Sequence, residues 1–101
     1  MSNLHKTYST EAALTKAVKK YLDSRDDLMY RKISDRYQRG ISDILVCVQG
    51  RFVALELKDD TGKASPHQKL FIKQVVDAGG VAVVCRTLHD VVSALEAALE
   101  K

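Results

Sequence analysis

The sequence predicts one α/β domain: a mixed central sheet with helices on both faces, in the element order α-β-β-β-α-β-α. Three observations predict it. The chain has 101 residues, enough for one domain that buries roughly two-thirds of its unfolded surface and too few for a second. Short apolar runs of strand character (DILVCV, FVALEL, VAVVC) alternate with stretches whose apolar residues recur every three or four positions. The second and third strands are apolar on both sides, which calls for helices above and below the sheet.

Thr10 caps a first helix running to about residue 24, with Glu11 favourably placed in its first turn. Leu14, Ala17, Val18, Tyr21 and Leu22 form its apolar stripe. Glu11 stands at the end of that inward stripe, an odd place for a carboxylate that only caps. Residues 28–34 read as a strand, followed by a polar loop to Gly40. Residues 42–48 and 51–58 are two strong strands joined by Gln49-Gly50, a two-residue hairpin connection. Ser65 caps a helix over 65–78, with Pro66 at its first position and Gln68 completing an S-x-x-Q capping box. Leu70, Phe71, Val75 and Val76 are its packing residues, and Gly79-Gly80 ends it. Residues 81–85 form an apolar strand, which closes a βαβ unit with strand 51–58. Thr87 caps the final helix, with Leu88, Val91, Val92, Leu95 and Leu99 inward.

A hydrophobic fraction of 46% without low-complexity tracts argues against a disordered chain. No apolar run approaches the roughly 18 residues of a membrane helix, and the N-terminus lacks the apolar stretch of a secretory signal. Cys47 and Cys85 lie inside apolar runs, with no C-x-x-C pair and no zinc spacing. They are expected to be two buried thiols in a reducing compartment, hence a cytoplasm. The net charge of +3 is unevenly spread: residues 1–40 carry nine basic and five acidic groups, residues 41–101 seven and eight. Residues 31–39 hold Arg31, Lys32, Arg36 and Arg39 beside Tyr37, a stretch suited to a polyanion such as nucleic acid.

If Gln49-Gly50 is the hairpin turn, Val48 faces Arg51 and Asp43 falls opposite Glu56. Facing residues of an antiparallel pair have Cβ atoms roughly 4.5–5.5 Å apart on one side of the sheet. Lys58 points to that same side, whose other members are Leu45, Cys47, Phe52 and Ala54. Two facing carboxylates repel unless a cation joins them. Lys58 offers one positive charge. A divalent metal offers two, takes oxygen from both acids and from the backbone carbonyl of Leu57, and completes its shell with water and substrate phosphate. Lys58 beside it can orient or deprotonate a water.

Asp43, twelve intervening residues, Glu56-Leu57-Lys58 and an upstream helix bearing Glu11 together resemble the PD-(D/E)xK nuclease superfamily. More narrowly, Gly40-Ile41-Ser42-Asp43, the hairpin, Leu55-Glu56-Leu57-Lys58, then Gly62-Lys63-Ala64-Ser65 and Gln68 resemble the VRR-NUC family, over residues 8–95. The resemblance implies a restriction-endonuclease-like core and a Mg²⁺- or Mn²⁺-dependent endonuclease acting on DNA, with a preference for branched forms. Asp43 and Glu56 would hold the metal, Lys58 would assist the water, and Glu11 would be an accessory carboxylate. Gln68 would orient site groups or phosphate, or serve only as a helix cap. A homodimer is implied for members this short, in a bacterial cell or phage-infected host and a setting of DNA repair or recombination. Ser42 departs from the family, which usually has Pro there; Pro offers no ligand, so the metal site is unaffected. The rival reading is a non-catalytic nucleic-acid-binding module of a phage or mobile replicon. His67 is expected to be solvated, His5 and His89 have no partner evident in the sequence, and Arg86 either faces DNA or closes a loop.

Overall fold

Each element begins where a local signal starts it. In the computed structural model, which describes residues 3–34 and 39–101, Thr10 is extended and its hydroxyl accepts from the Ala13 N–H at 3.1 Å, opening α1 (Glu11–Asp23). Three strands follow: β1 (Leu28–Lys32), β2 (Ile44–Val48) and β3 (Arg51–Leu57). Ser65 and Gln68 form the reciprocal capping box at the head of α2 (Pro66–Asp77). Strand β4 (Val81–Cys85) and helix α3 (Leu88–Leu99), capped by Thr87 and Asp90, complete the chain. The order is α-β-β-β-α-β-α, as expected.

The sheet runs β1-β2-β3-β4, antiparallel across the first three strands and parallel between β3 and β4. The β2–β3 turn needs positive φ at both central residues, and Gln49 (φ 50) and Gly50 (φ 83) supply it. Gln is an unusual first residue for such a turn, and its side chain explains it. Its Nε2 donates to Asp27 Oδ2 at 2.9 Å and its main-chain N–H to the Asp27 carbonyl at 3.1 Å, while Arg25 grips the same carboxylate with two bonds. The turn is thereby tied to the start of β1.

One face of the sheet carries the main core. Ile44, Val46, Val48, Val53, Leu55 and Leu57 are buried against Leu14, Val18 and Leu22 of α1 and Val91, Ala94, Leu95 and Ala98 of α3. The other face is covered by α2 alone, through Phe71, Ile72 and Val75 on Leu45, Ala54 and Ala82. This corrects two expectations. Leu70 (54% exposed) and Val76 (49%) do not pack, because Phe71, Ile72 and Val75 define the stripe and a 100° step per residue carries Leu70 and Val76 off it. Cys47 is exposed although Cys85 is buried. A single helix cannot cover a four-stranded face, and Met29, Cys47 and Phe52 stay exposed on it. Burial pushes the Cys85 thiol up, which keeps it inert.

Candidate active site

The register is the one the turn predicted. Val48 pairs with Arg51 and Ile44 with Leu55, so the next step brings Asp43 and Glu56 to the same end of the hairpin. Asp43 has already left the ladder. Its main-chain carbonyl accepts from the Ile33 N–H at 2.8 Å, and its Oδ2 accepts from the Leu57 N–H at 2.7 Å. The carboxylate thus takes up a main-chain donor of β3 at the point where β2 peels away, fixing Asp43 between two strands. Glu56 sits on the central strand β3 and is 1% exposed.

Four groups converge on Glu56. Gln68 Nε2 donates to its Oε2 at 2.8 Å, and Lys58 Nζ stands 3.7 Å from that same oxygen with its side chain 13% exposed. Its other oxygen, Oε1, is buried and has no hydrogen-bond partner among the described residues. Burial pushes the Glu56 carboxyl up to about 8; the neighbouring Asp43 carboxyl acts the same way, Lys58 opposes them, and Glu11 adds a smaller push. A buried acid held this far above its ordinary range beside a second acid marks the place as a candidate functional site.

Gln68 settles a question its sequence position left open. Its Oε1 accepts from the Ser65 N–H at 2.8 Å while its Nε2 reaches Glu56, so one amide caps α2 and contacts the acid. The N-terminus of α2 is held in place by Gly40. Its φ is +82, and a Cβ there would lie 2.2 Å from the carbonyl oxygen of His67. Only glycine permits that backbone and that approach. The loop leading to Asp43 and the helix bearing Gln68 are therefore locked together.

Two solved structures share this architecture. One, described as a VRR_NUC domain, is 25% identical, with a TM-score of 0.70 over 85% of this chain and 94% of its own. The other, a VRR_NUC domain protein, is 19% identical, with a TM-score of 0.71 over 94% of this chain and 91% of its own. The fold is that of a VRR-NUC domain. Neither a family sequence model nor a curated protein sequence matches the chain, so the likeness is carried by three-dimensional structure. It bears out, at the level of fold, the resemblance read from the motif.

The remaining expected residues fall less evenly. Glu11 is exposed in the first turn of α1, one turn before the buried stripe Leu14–Val18–Leu22 begins. Among the described residues no three acids, histidines or cysteines form a group able to hold a metal, and Glu11 acts on Glu56 through its charge, the smallest of the pushes on that carboxyl. Strand alternation splits the basic stretch. Arg31 pairs with Leu45 on the face of Glu56, whereas Lys32 pairs with Ile44 on the other and turns its Nζ to within 3.9 Å of Asp43 Oδ1. Arg39 is exposed beside Gly40, and Arg36 lies outside the described residues. His67 is exposed, as expected. His5 and His89 are each other's partner, their rings stacked at 4.3 Å. Arg86 closes a loop: its NH1 donates to the Asp59 carbonyl at 2.6 Å. No helix is long and apolar enough to cross a membrane.

The sequence reading did not single out Asp59, whose side chain organises the turn after Lys58, or the hydroxyl of Ser42, fully buried and without a partner among the described residues. A D-x-x-G turn directly behind a catalytic-type lysine was the available signal for the first.

Proposed function

We propose that this VRR-NUC domain is a Mg²⁺- or Mn²⁺-dependent endonuclease that hydrolyses DNA phosphodiester bonds. One observation carries the reading: Glu56 is buried on a central strand with Oε1 unpartnered, beside a second carboxylate and a lysine. An uncompensated buried acid costs stability, and evolution retains it where a cation makes up the deficit. The donor set fits a hard divalent ion, which uses one or two carboxylates and leaves room for water and phosphate. Asp43, Glu56 and the Leu57 carbonyl would hold it, with Glu11 acting as an accessory carboxylate through solvent. Bound there, the ion would supply positive charge to the scissile phosphate and acidify an attacking water.

The chain's own groups do the rest. Lys58 Nζ, drawn toward Glu56 Oε2, orients the water and holds or passes its proton. Gln68 keeps Glu56 in the rotamer that presents Oε1, because its own amide is anchored at the Ser65 N–H. Arg31, Lys32, Arg36 and Arg39 bind phosphates flanking the cut. Branched DNA is the preferred substrate and a symmetric homodimer the working form; Met29 and Phe52, exposed apolar side chains on the face of Glu56, offer surface for a second copy.

Cleavage of linear, flap and four-way-junction DNA with Mg²⁺, Mn²⁺ and Ca²⁺ tests the reading. Cutting with Mg²⁺ or Mn²⁺, absent with Ca²⁺ and strongest on the branched substrates, supports all of it. Binding without cutting under every condition would leave the non-catalytic nucleic-acid-binding module instead.

A further inference from the structure

Lys58 is the last residue of the motif, and the chain immediately behind it is fastened unusually well. Its own N–H is the last rung to β4, donating to the Cys85 carbonyl at 3.0 Å. The next carbonyl, that of Asp59, is gripped by Arg86 NH1 at 2.6 Å. Asp59 Oδ1 then accepts from the Gly62 N–H at 2.7 Å, the Thr61 N–H at 3.1 Å and the Thr61 hydroxyl at 3.3 Å, folding residues 59–62 into a tight turn. The Asp60 N–H donates to the Tyr8 carbonyl at 2.8 Å, so the segment before α1 holds the turn from outside. The turn folds back on the lysine. Gly62 comes close enough that a Cβ built on it would lie 3.4 Å from Lys58 Cδ and 3.7 Å from Lys58 Cβ, which places its backbone alongside the aliphatic stem.

From this arrangement we infer that Asp59 and Arg86 are positioning residues for Lys58: the turn they build forms a wall that keeps the lysine stem against the sheet and its ammonium aimed at Glu56. A lysine side chain has four rotatable bonds and loses rotamer entropy when fixed. Among the described residues Glu56 Oε2 is its one ion-pair partner, at 3.7 Å, and the ammonium alone does not hold it. The Gly62 backbone alongside the stem narrows the remaining rotamers. Arg86 reaches the wall from the residue just past the end of β4, which makes the end of the βαβ unit a support for the lysine.

The inference rests on the proposed nuclease activity for its kinetic consequence, but its geometry is testable without it. In metal-free protein, acylation of Lys58 by an amine-reactive ester, read by peptide mass spectrometry against exposed Lys73, should rise at least threefold in Asp59→Ala and in Arg86→Ala. Asp59→Asn, which keeps the oxygen acceptor, should recover most of the protection. In single-turnover cleavage at saturating DNA, Asp59→Ala should lower the rate 10- to 100-fold while DNA affinity in Ca²⁺ changes less than threefold. In the Lys58→Ala background the same substitution should have no further effect on the residual rate, since a residue acting through Lys58 loses its role with it. Unchanged acylation in both alanine variants overturns the inference, whatever the protein does to DNA. Equal rate losses with and without Lys58 overturn it as well, showing a general structural role. A wild-type protein that does not cut DNA overturns the proposed function alone, leaving the acylation result to decide the wall.

Discussion

Two side chains concentrate the energetics of the site. Asp43 and Glu56 compete for one small volume, and Glu56 yields by holding its proton. Asp43→Asn should relieve that competition while keeping an oxygen to accept from the Leu57 N–H and offering an amide hydrogen toward Glu56. In EDTA it should melt above wild type, by about 4–8 °C for each kcal/mol recovered in a domain this size. With Mg²⁺ or Mn²⁺ the difference should narrow or reverse, because only wild type keeps both ligands and gains stability by mass action. Cleavage should be lost throughout. A variant that melts below wild type in EDTA would show the pair to be stabilising as it stands. Glu56 itself predicts a pH dependence. Its folded value, about 8, lies above the ordinary 4.5, so between the two the folded state keeps a proton that the unfolded chain has released. Metal-free stability should therefore fall as pH rises from about 5 to 8. Denaturant melts across that range should show the slope in wild type and a flatter profile in Glu56→Gln, where only the other groups titrate. Equal slopes would place the effect elsewhere.

At the scale of elements, the decisive joint is between the loop into β2 and the head of α2. Gly40→Ala should cost at least about 2 kcal/mol, from left-handed backbone strain together with the clash against the His67 carbonyl. Because the displaced element carries Gln68, cleavage should fall further than stability alone accounts for, as urea titration and initial rates on the same sample would reveal. The strand, helix and turn signals read from the residues are all present in the structure, because caps, turn residues and apolar periodicity act within a few positions of the chain. The faces of α2 were less legible. Leu70 and Val76 are as apolar as Val75, and only the narrow contact of one helix on a wide sheet leaves them in water.

On the scale of the whole molecule, charge and symmetry matter most. Arg31 and Arg39 are both exposed, and replacing both with Ala should flatten the log–log salt dependence of DNA binding by about two units if each meets a phosphate. A slope unaltered by both substitutions would make the stretch a solvated surface. A symmetric dimer would bring two sites to a fixed separation, as paired cuts on a branched substrate require. Light scattering at micromolar protein, with and without DNA, should give twice the chain mass; a monomer under both conditions would remove the dimer from the mechanism.

By itself the sequence determined the element order, the hairpin register and the meeting of Asp43, Glu56 and Lys58 at one end of it, since a two-residue turn leaves strand pairing no freedom. Only the tertiary structure decided what lies far apart along the chain. It brought the Gln68 amide from a helix cap to Glu56, set Gly40 against His67, and carried Arg86 across the end of β4 to the turn behind Lys58. It also left Cys47 and Glu11 exposed. Those outcomes depend on how far one helix covers a twisted sheet and on where strands peel apart, and both follow from packing over the whole domain, which no short stretch of residues encodes.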